Sequence, residues 1–134
     1  MEKVRIGIIG VGGIANGRHI PEIQKASGGK ITAVCDLYED RLNRAADAVE
    51  KFYGEGNRPF ASTDYKEVLD RDDVDAVLIM SAWESHFPIA IYAMERGIAV
   101  GMEVGGAYSM DDCWQLVRTY ERTKTPFMLL ENCC

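Results

Sequence analysis

Short apolar runs recur along this chain, and each is followed by residues at helical spacing. Val4–Ile9 is broken only by Arg5, Ile31–Cys35 only by Thr32, and Ala76–Met80, Ile98–Met102 and Phe127–Leu130 repeat the pattern. A strand needs this composition when both its faces are buried, as in a parallel sheet covered by helices on either side. Between the runs, Leu42, Ala45, Ala46, Val49 and Phe52 form one helical stripe that stops at Gly54. GEGNRPFAST reads as a loop with one short strand, and TDYKEVLDR as a short helix with Asp64 and Glu67 at capping-box spacing. Pro88 is expected to open a helix over Ile89–Arg96 that Gly97 closes. Ser109 and Asp112 cap another, whose Cys113, Leu116, Val117 and Tyr120 share a face. There is no internal repeat. Strand and helix alternating in this way predict right-handed crossovers and an α/β fold, a doubly wound parallel sheet of about six strands with helices on both faces.

The 134 residues have room for one domain with a proper core and not comfortably for two. A net charge of −6 without a basic cluster argues against nucleic acid or an anionic membrane surface as partner. It does not argue against an anionic small molecule, which backbone amides hold without a lysine. No run approaches the roughly 20 apolar residues that span a bilayer, and glycines break the N-terminal run too early for a signal peptide. A cytoplasmic protein is expected. Cys35 and Cys113 read as core fillers, while Cys133 and Cys134 are adjacent and lack C-x-x-C spacing, so all four are expected as reduced thiols. DRDDVD reads as a solvated acidic turn, since its acids do not alternate as calcium ligands do.

Where the first strand ends, Gly10-Val11-Gly12-Gly13-Ile14-Ala15 matches G-x-G-x-x-A. Gly10 permits a tight turn, Gly12 lacks the Cβ that would keep a pyrophosphate off the backbone, and Ala15 lets the helix pack close to the sheet. A diphosphate there would meet amide N–H groups and the positive end of a helix dipole. Alone, the match also fits a plain strand-to-helix turn. Asp36 adds weight, because it closes the second strand rather more than about 20 residues after Gly12, where the dinucleotide fingerprint expects an acid. Its carboxylate suits both hydroxyls of an adenosine ribose and repels a 2′-phosphate, so NAD is expected rather than NADP. Arg41 nearby is the residue type that accommodates NADP, and the plainer reading of Asp36 is a helix N-cap. Gly13, Ile14 and Leu37 fall beside the same ligand.

The order of IGIIGVGGIANGRHIPEI, AVCD and STDYKEVLDRDDVDAVLI resembles the N-terminal NAD-binding domain of the oxidoreductase family named for glucose–fructose oxidoreductase, inositol dehydrogenase and MocA (Gfo/Idh/MocA). The likeness runs over essentially the whole chain. SAWESH is similar to the family's segment after the fourth strand, often T-P-N-x-x-H, which brings Ser81, Trp83 and His86 to the cofactor site. GMEVGGAYS is similar to its E-K-P segment: Glu103 is present, while Val104 and Gly105 replace lysine and proline. In many members that lysine is catalytic or contacts the nicotinamide, so the resemblance leaves the catalytic residues here unassigned. SAWESHFPIAIYAMERG, EVGGAYSMDDCWQLVRTYERT and FMLLENCC resemble the branch that contains NAD-dependent α-N-acetylgalactosaminidases, although Ala82 and Gly105 stand where that branch has proline. Members of that branch use tightly held NAD to oxidise a sugar carbon transiently, so that a glycosidic bond leaves by elimination, and then return the hydride.

The resemblance implies further roles. Glu103, ending the fifth strand, would touch a hydroxyl of the nicotinamide ribose, and Asn132 is a similar case. Trp83, expected in the loop above the sheet, would cover nicotinamide or ribose unless it packs in the core. His86 is either a ligand contact or a structural cap, and His19 reads as packing. In the family a second α/β domain with the substrate pocket follows the sixth strand, whereas this chain stops at Asn132-Cys133-Cys134. Residues 1–134 are therefore expected to be one NAD-binding domain, inactive alone, reaching a sugar or sugar-like substrate through a domain it lacks. An uncovered sheet edge would also invite a second copy, giving a homo-oligomer. Two other classes are a stand-alone nucleotide-binding module and a scaffold with a vestigial loop.

Overall fold

A computed structural model describes residues 3–131, so the readings of Asn132, Cys133 and Cys134 lie outside the described residues. Among these, six parallel strands share one sheet: β1 (Val4–Ile9), β2 (Gly29–Cys35), β3 (Phe60–Ser62), β4 (Ala76–Ile79), β5 (Ala99–Met102) and β6 (Phe127–Leu129). Their order is β3-β2-β1-β4-β5-β6. The chain winds from β1 out to β3, then crosses back to β4 on the far side of β1. That reversal opens a crevice beyond the carboxyl ends of β1 and β4, where doubly wound sheets bind ligands.

The apolar composition of β1 has its expected cause. Ile8 packs with Ile20, Val34, Ala45 and Val49 on one face of the sheet, while the next residue, Ile9, packs with Ile79, Ile89, Ala93 and Met94 on the other. The first face is covered by α1 (Ile20–Lys25), which continues a π-wound segment at Ala15–His19, and by α2 (Glu39–Tyr53). The second is covered by α3 (Tyr65–Leu69) and α4 (Trp83–Glu95), with α5 (Met110–Thr123) packed against α4. Asp64 caps α3 through the Lys66 N–H, and Glu67 turns instead to the Ser62 hydroxyl.

Four details depart from the sequence reading. α4 begins at Trp83 and holds Pro88 inside it. Its buried apolar residues start only at Ile89, and the first turn is built by other bonds: Ser85 N and Oγ both donate to the Ala82 carbonyl, at 2.9 and 2.7 Å. Trp83 is accordingly the first residue of a helix, not part of a loop. Phe52 departs from its stripe and is exposed, stacked edge-on against Tyr53, while Leu42, Ala45, Ala46 and Val49 are buried as expected. Cys113 is exposed rather than a core filler, and Val117 and Tyr120 are also exposed. α5 leans on a helix, not on the sheet, so its buried arc is narrow and turned toward Leu116 and Thr119.

Candidate functional site

The crevice begins at Gly10, which has φ +90°. A Cβ there would lie 2.4 Å from the Ser81 nitrogen and 2.5 Å from the Met80 carbonyl carbon. The residue has to be glycine because β1 and β4 meet at that point, where Met80 N donates to Ile9 O at 2.7 Å. Gly12 and Gly13 are different. A Cβ built on either meets nothing within 4 Å, so the space over the loop is open.

Asn16 shapes that loop, and the sequence reading did not single it out. Its side-chain amide donates to the Val11 carbonyl and, at 3.0 Å, to the Gly12 carbonyl, which also accepts the Asn16 backbone N–H. In a trans peptide the N–H points opposite the C=O, so the Gly12 and Gly13 amides are aimed away from Asn16. The helix that follows adds first-turn donors without intrahelical acceptors. Ala15 is buried beneath it, and Ile14 is exposed above.

Asp36 is buried at the end of β2 and joined to this loop. Its Oδ2 accepts the Val11 N–H at 2.9 Å and its Oδ1 accepts the Tyr38 N–H at 3.0 Å. The N-cap position of α2 belongs to Tyr38. A carboxylate has about four lone-pair positions, so Asp36 keeps acceptor capacity for a ligand. Beside it, burial first and the Asp36 charge second push the Cys35 thiol up to about 12.

Two cavities flank the glycine loop. One, of about 450 Å³, is walled by Gly10, Gly12, Asp36, Leu37, Arg41 and Ser81 among others. Leu37 is its exposed apolar rim, and the Arg41 guanidinium lies 4.6 Å over the Tyr38 ring. The other, of about 360 Å³, is walled by Gly13, Ile14, Gly17, Arg18, His19, Glu103 and Leu130. There His19 Nε2 lies 2.8 Å from Glu103 Oε1. His19, read from the sequence as packing, thus lies on a cavity wall.

Trp83 and His86 belong to neither wall. Gly105 has φ +101°, and a Cβ on it would fall 2.5 Å from the indole, so Trp83 is seated over the backbone of the 104–109 loop. His86 is buried and its Nε2 meets the Ser81 carbonyl at 2.8 Å. Because a carbonyl can only accept, Nε2 carries the hydrogen. Ser81 Oγ also meets Ser85 Oγ at 2.6 Å. Partial dehydration and then the Glu84 carboxylate hold the Tyr108 hydroxyl above its ordinary range, tying the same loop to α4. Among the described residues no cluster of His, Cys, Asp and Glu could hold a metal, and no helix is long and apolar enough to cross a membrane.

Residues 4–130 match the family model described as an oxidoreductase family, NAD-binding Rossmann fold. Over 98% of its length the chain is 39% identical to a protein called glycosyl hydrolase family 109 protein 1 from Shewanella sp. (strain ANA-3). It is 37% identical, over the same share, to an alpha-N-acetylgalactosaminidase from Shewanella oneidensis. In both cases it spans only 29% of the relative's length. Among solved structures, a WlbA dehydrogenase from Bordetella pertussis in complex with NADH and UDP-GlcNAcA superposes with a TM-score of 0.80 at 24% identity, over 96% of this chain and 37% of that one. That likeness speaks for the fold.

Proposed function

The chain belongs to the Gfo/Idh/MocA oxidoreductase family, and we propose that it is the NAD-holding domain of a longer cytoplasmic enzyme acting on a sugar or sugar-like substrate. The observation that supports this most is the open glycine loop between two cavities, since a dinucleotide is two nucleosides joined by a diphosphate. The Gly12 and Gly13 amides and the helix behind them suit the diphosphate. Asp36 suits the adenosine ribose, with Leu37, Arg41 and Ser81 framing the base, and its charge disfavours a 2′-phosphate. Ile14 and Glu103 suit the nicotinamide half. Trp83 and His86 act from behind, steadying the loops after β5 and β4.

Bound NAD would supply a hydride acceptor. The protein's own part is to hold the dinucleotide extended along the sheet edge and to shield its working end from water. The substrate and the groups that move protons on it belong to the remainder of the enzyme, so this chain alone binds NAD and turns over little.

Two observations favour a glycosidase over a net dehydrogenase. The relatives of highest identity quoted above carry glycosidase names, and Val104 puts an apolar side chain beside Glu103 where no proton can be exchanged. In that reading a sugar carbon would give hydride to bound NAD, the glycosidic oxygen would leave by elimination with a proton lost from the adjacent carbon, water would add to the double bond so formed, and the hydride would return, the net change being hydrolysis with no net oxidation.

Calorimetric titration with NAD and NADP tests the core of the proposal. NAD should bind, with NADP weaker. Binding of neither at millimolar concentration would favour an empty scaffold.

A further inference from the structure

His19 and Glu103 come from distant parts of the chain to one cavity wall. His19 ends the π-wound segment before α1, and Glu103 follows β5. Their side chains are 22% and 24% exposed, so the contact is partly shielded from water. Segments wound this way are uncommon and recur at functional sites. The rest of the wall is mostly glycine and apolar: Gly13, Ile14, Gly17 and Leu130, with Arg18 as its other charge. Among the described residues, the second oxygen of Glu103 has only a long 3.3 Å bond from Val104 N. The Val104 side chain, itself exposed, brings no charge that could hold the carboxylate. His19 does so from beside it on the same wall.

We infer that His19 is a positioning residue for Glu103, holding one carboxylate oxygen so that the group is set to accept the vicinal hydroxyls of a ribose. The inference rests on the reading of this cavity as the nicotinamide side of a dinucleotide site. A free glutamate side chain loses rotamer freedom when it engages a ligand. One already tied by a 2.8 Å bond has less to lose and presents its lone pairs in one direction.

ADP and ADP-ribose differ by the second ribose, so their affinities isolate this contact. The protein and its His19→Ala, His19→Gln, Glu103→Gln and His19→Ala/Glu103→Gln variants are titrated with both. The unaltered protein should prefer ADP-ribose. His19→Ala should cut that preference about tenfold, as expected for one charge-assisted bond, while ADP affinity, which reports an intact fold, stays within about twofold. His19→Gln keeps an N–H donor and should recover most of the preference. The double variant should lose no more than Glu103→Gln alone. Equal weakening of both ligands by His19→Ala, no weakening of either, or additive losses in the double variant would overturn the role of His19 and leave the dinucleotide reading standing. If the unaltered protein binds neither ligand, that reading falls and this one with it.

Discussion

Asp36 Oδ2 accepts the Val11 N–H at 2.9 Å, so the acid that closes β2 is bonded to the glycine turn that follows β1. One side chain thereby fixes the loop and stands at the wall of the larger cavity. Asp36→Ala should weaken NAD binding and narrow the gap between NAD and NADP, because the acceptor and the repulsion disappear together. It should also lower stability by about 1–3 kcal/mol, since the buried Val11 N–H loses its partner. Titration and urea melts of the same variant read the two effects. Unchanged affinities for both dinucleotides would remove Asp36 from the site.

Two glycines of one motif should fail in different ways. Gly10→Ala places a Cβ against the Met80–Ser81 backbone at a φ that L residues avoid, and should cost about 3 kcal/mol or more. Gly12→Val points into open space, so the domain should melt near the normal temperature yet lose NAD. Thermal denaturation beside titration separates them. A Gly12→Val protein that binds NAD normally would refute the loop assignment.

How far the sequence speaks follows from what each feature encodes. A strand buried on both faces must be apolar throughout, so β1 and β4 are legible, and G-x-G-x-x-A encodes backbone geometry, so the turn is legible too. Asn16 is not, because an asparagine one turn into a helix carries no distinctive pattern until its carbonyl partners are in place. The His19–Glu103 pair spans 84 positions, which no local spacing connects. A helical stripe says which residues of α5 are apolar but not which neighbour covers them. Pro88 misleads because proline usually marks a first turn, and here that turn is built upstream from serine side chains.

The Trp83–Gly105 contact predicts that proline cannot be accommodated at position 105. Proline requires φ near −65°, whereas position 105 has φ +101° with an indole in the space a side chain would take. Gly105→Pro should destabilise the domain by about 3 kcal/mol and expose Trp83 further. Tryptophan emission, recorded in a Trp114→Phe background, should shift to the red; an unmoved spectrum would mean the ring is not seated there.

Cys35 should be chemically silent in the folded protein. Its thiol, buried and raised to about 12, holds almost no thiolate at neutral pH, and thiolate is the reactive form. Cys113, which is exposed, should react with iodoacetamide in native buffer, while Cys35 should react only in denaturant. Mass mapping of the two sites checks this, and rapid native labelling of Cys35 would contradict its burial.

At the amino edge of the sheet, Asp75 joins β4 to β1 by accepting from the Arg5 backbone N–H at 2.8 Å and from its guanidinium at 2.9 and 2.5 Å. The Arg5 hydrogen bonds hold the Asp75 carboxyl down at about 2, against an ordinary 3.8. A carboxyl held low in the folded state contributes its full stability above the unfolded value, and loses it as pH falls from about 4 toward 2. Both side chains are about two-fifths exposed, so water screens the pair and the step should be about 1 kcal/mol or less. Urea melts at pH 5, 4 and 3 should show the protein losing more stability than Asp75→Asn does. Parallel losses in the two proteins would show that the pair contributes nothing to acid sensitivity.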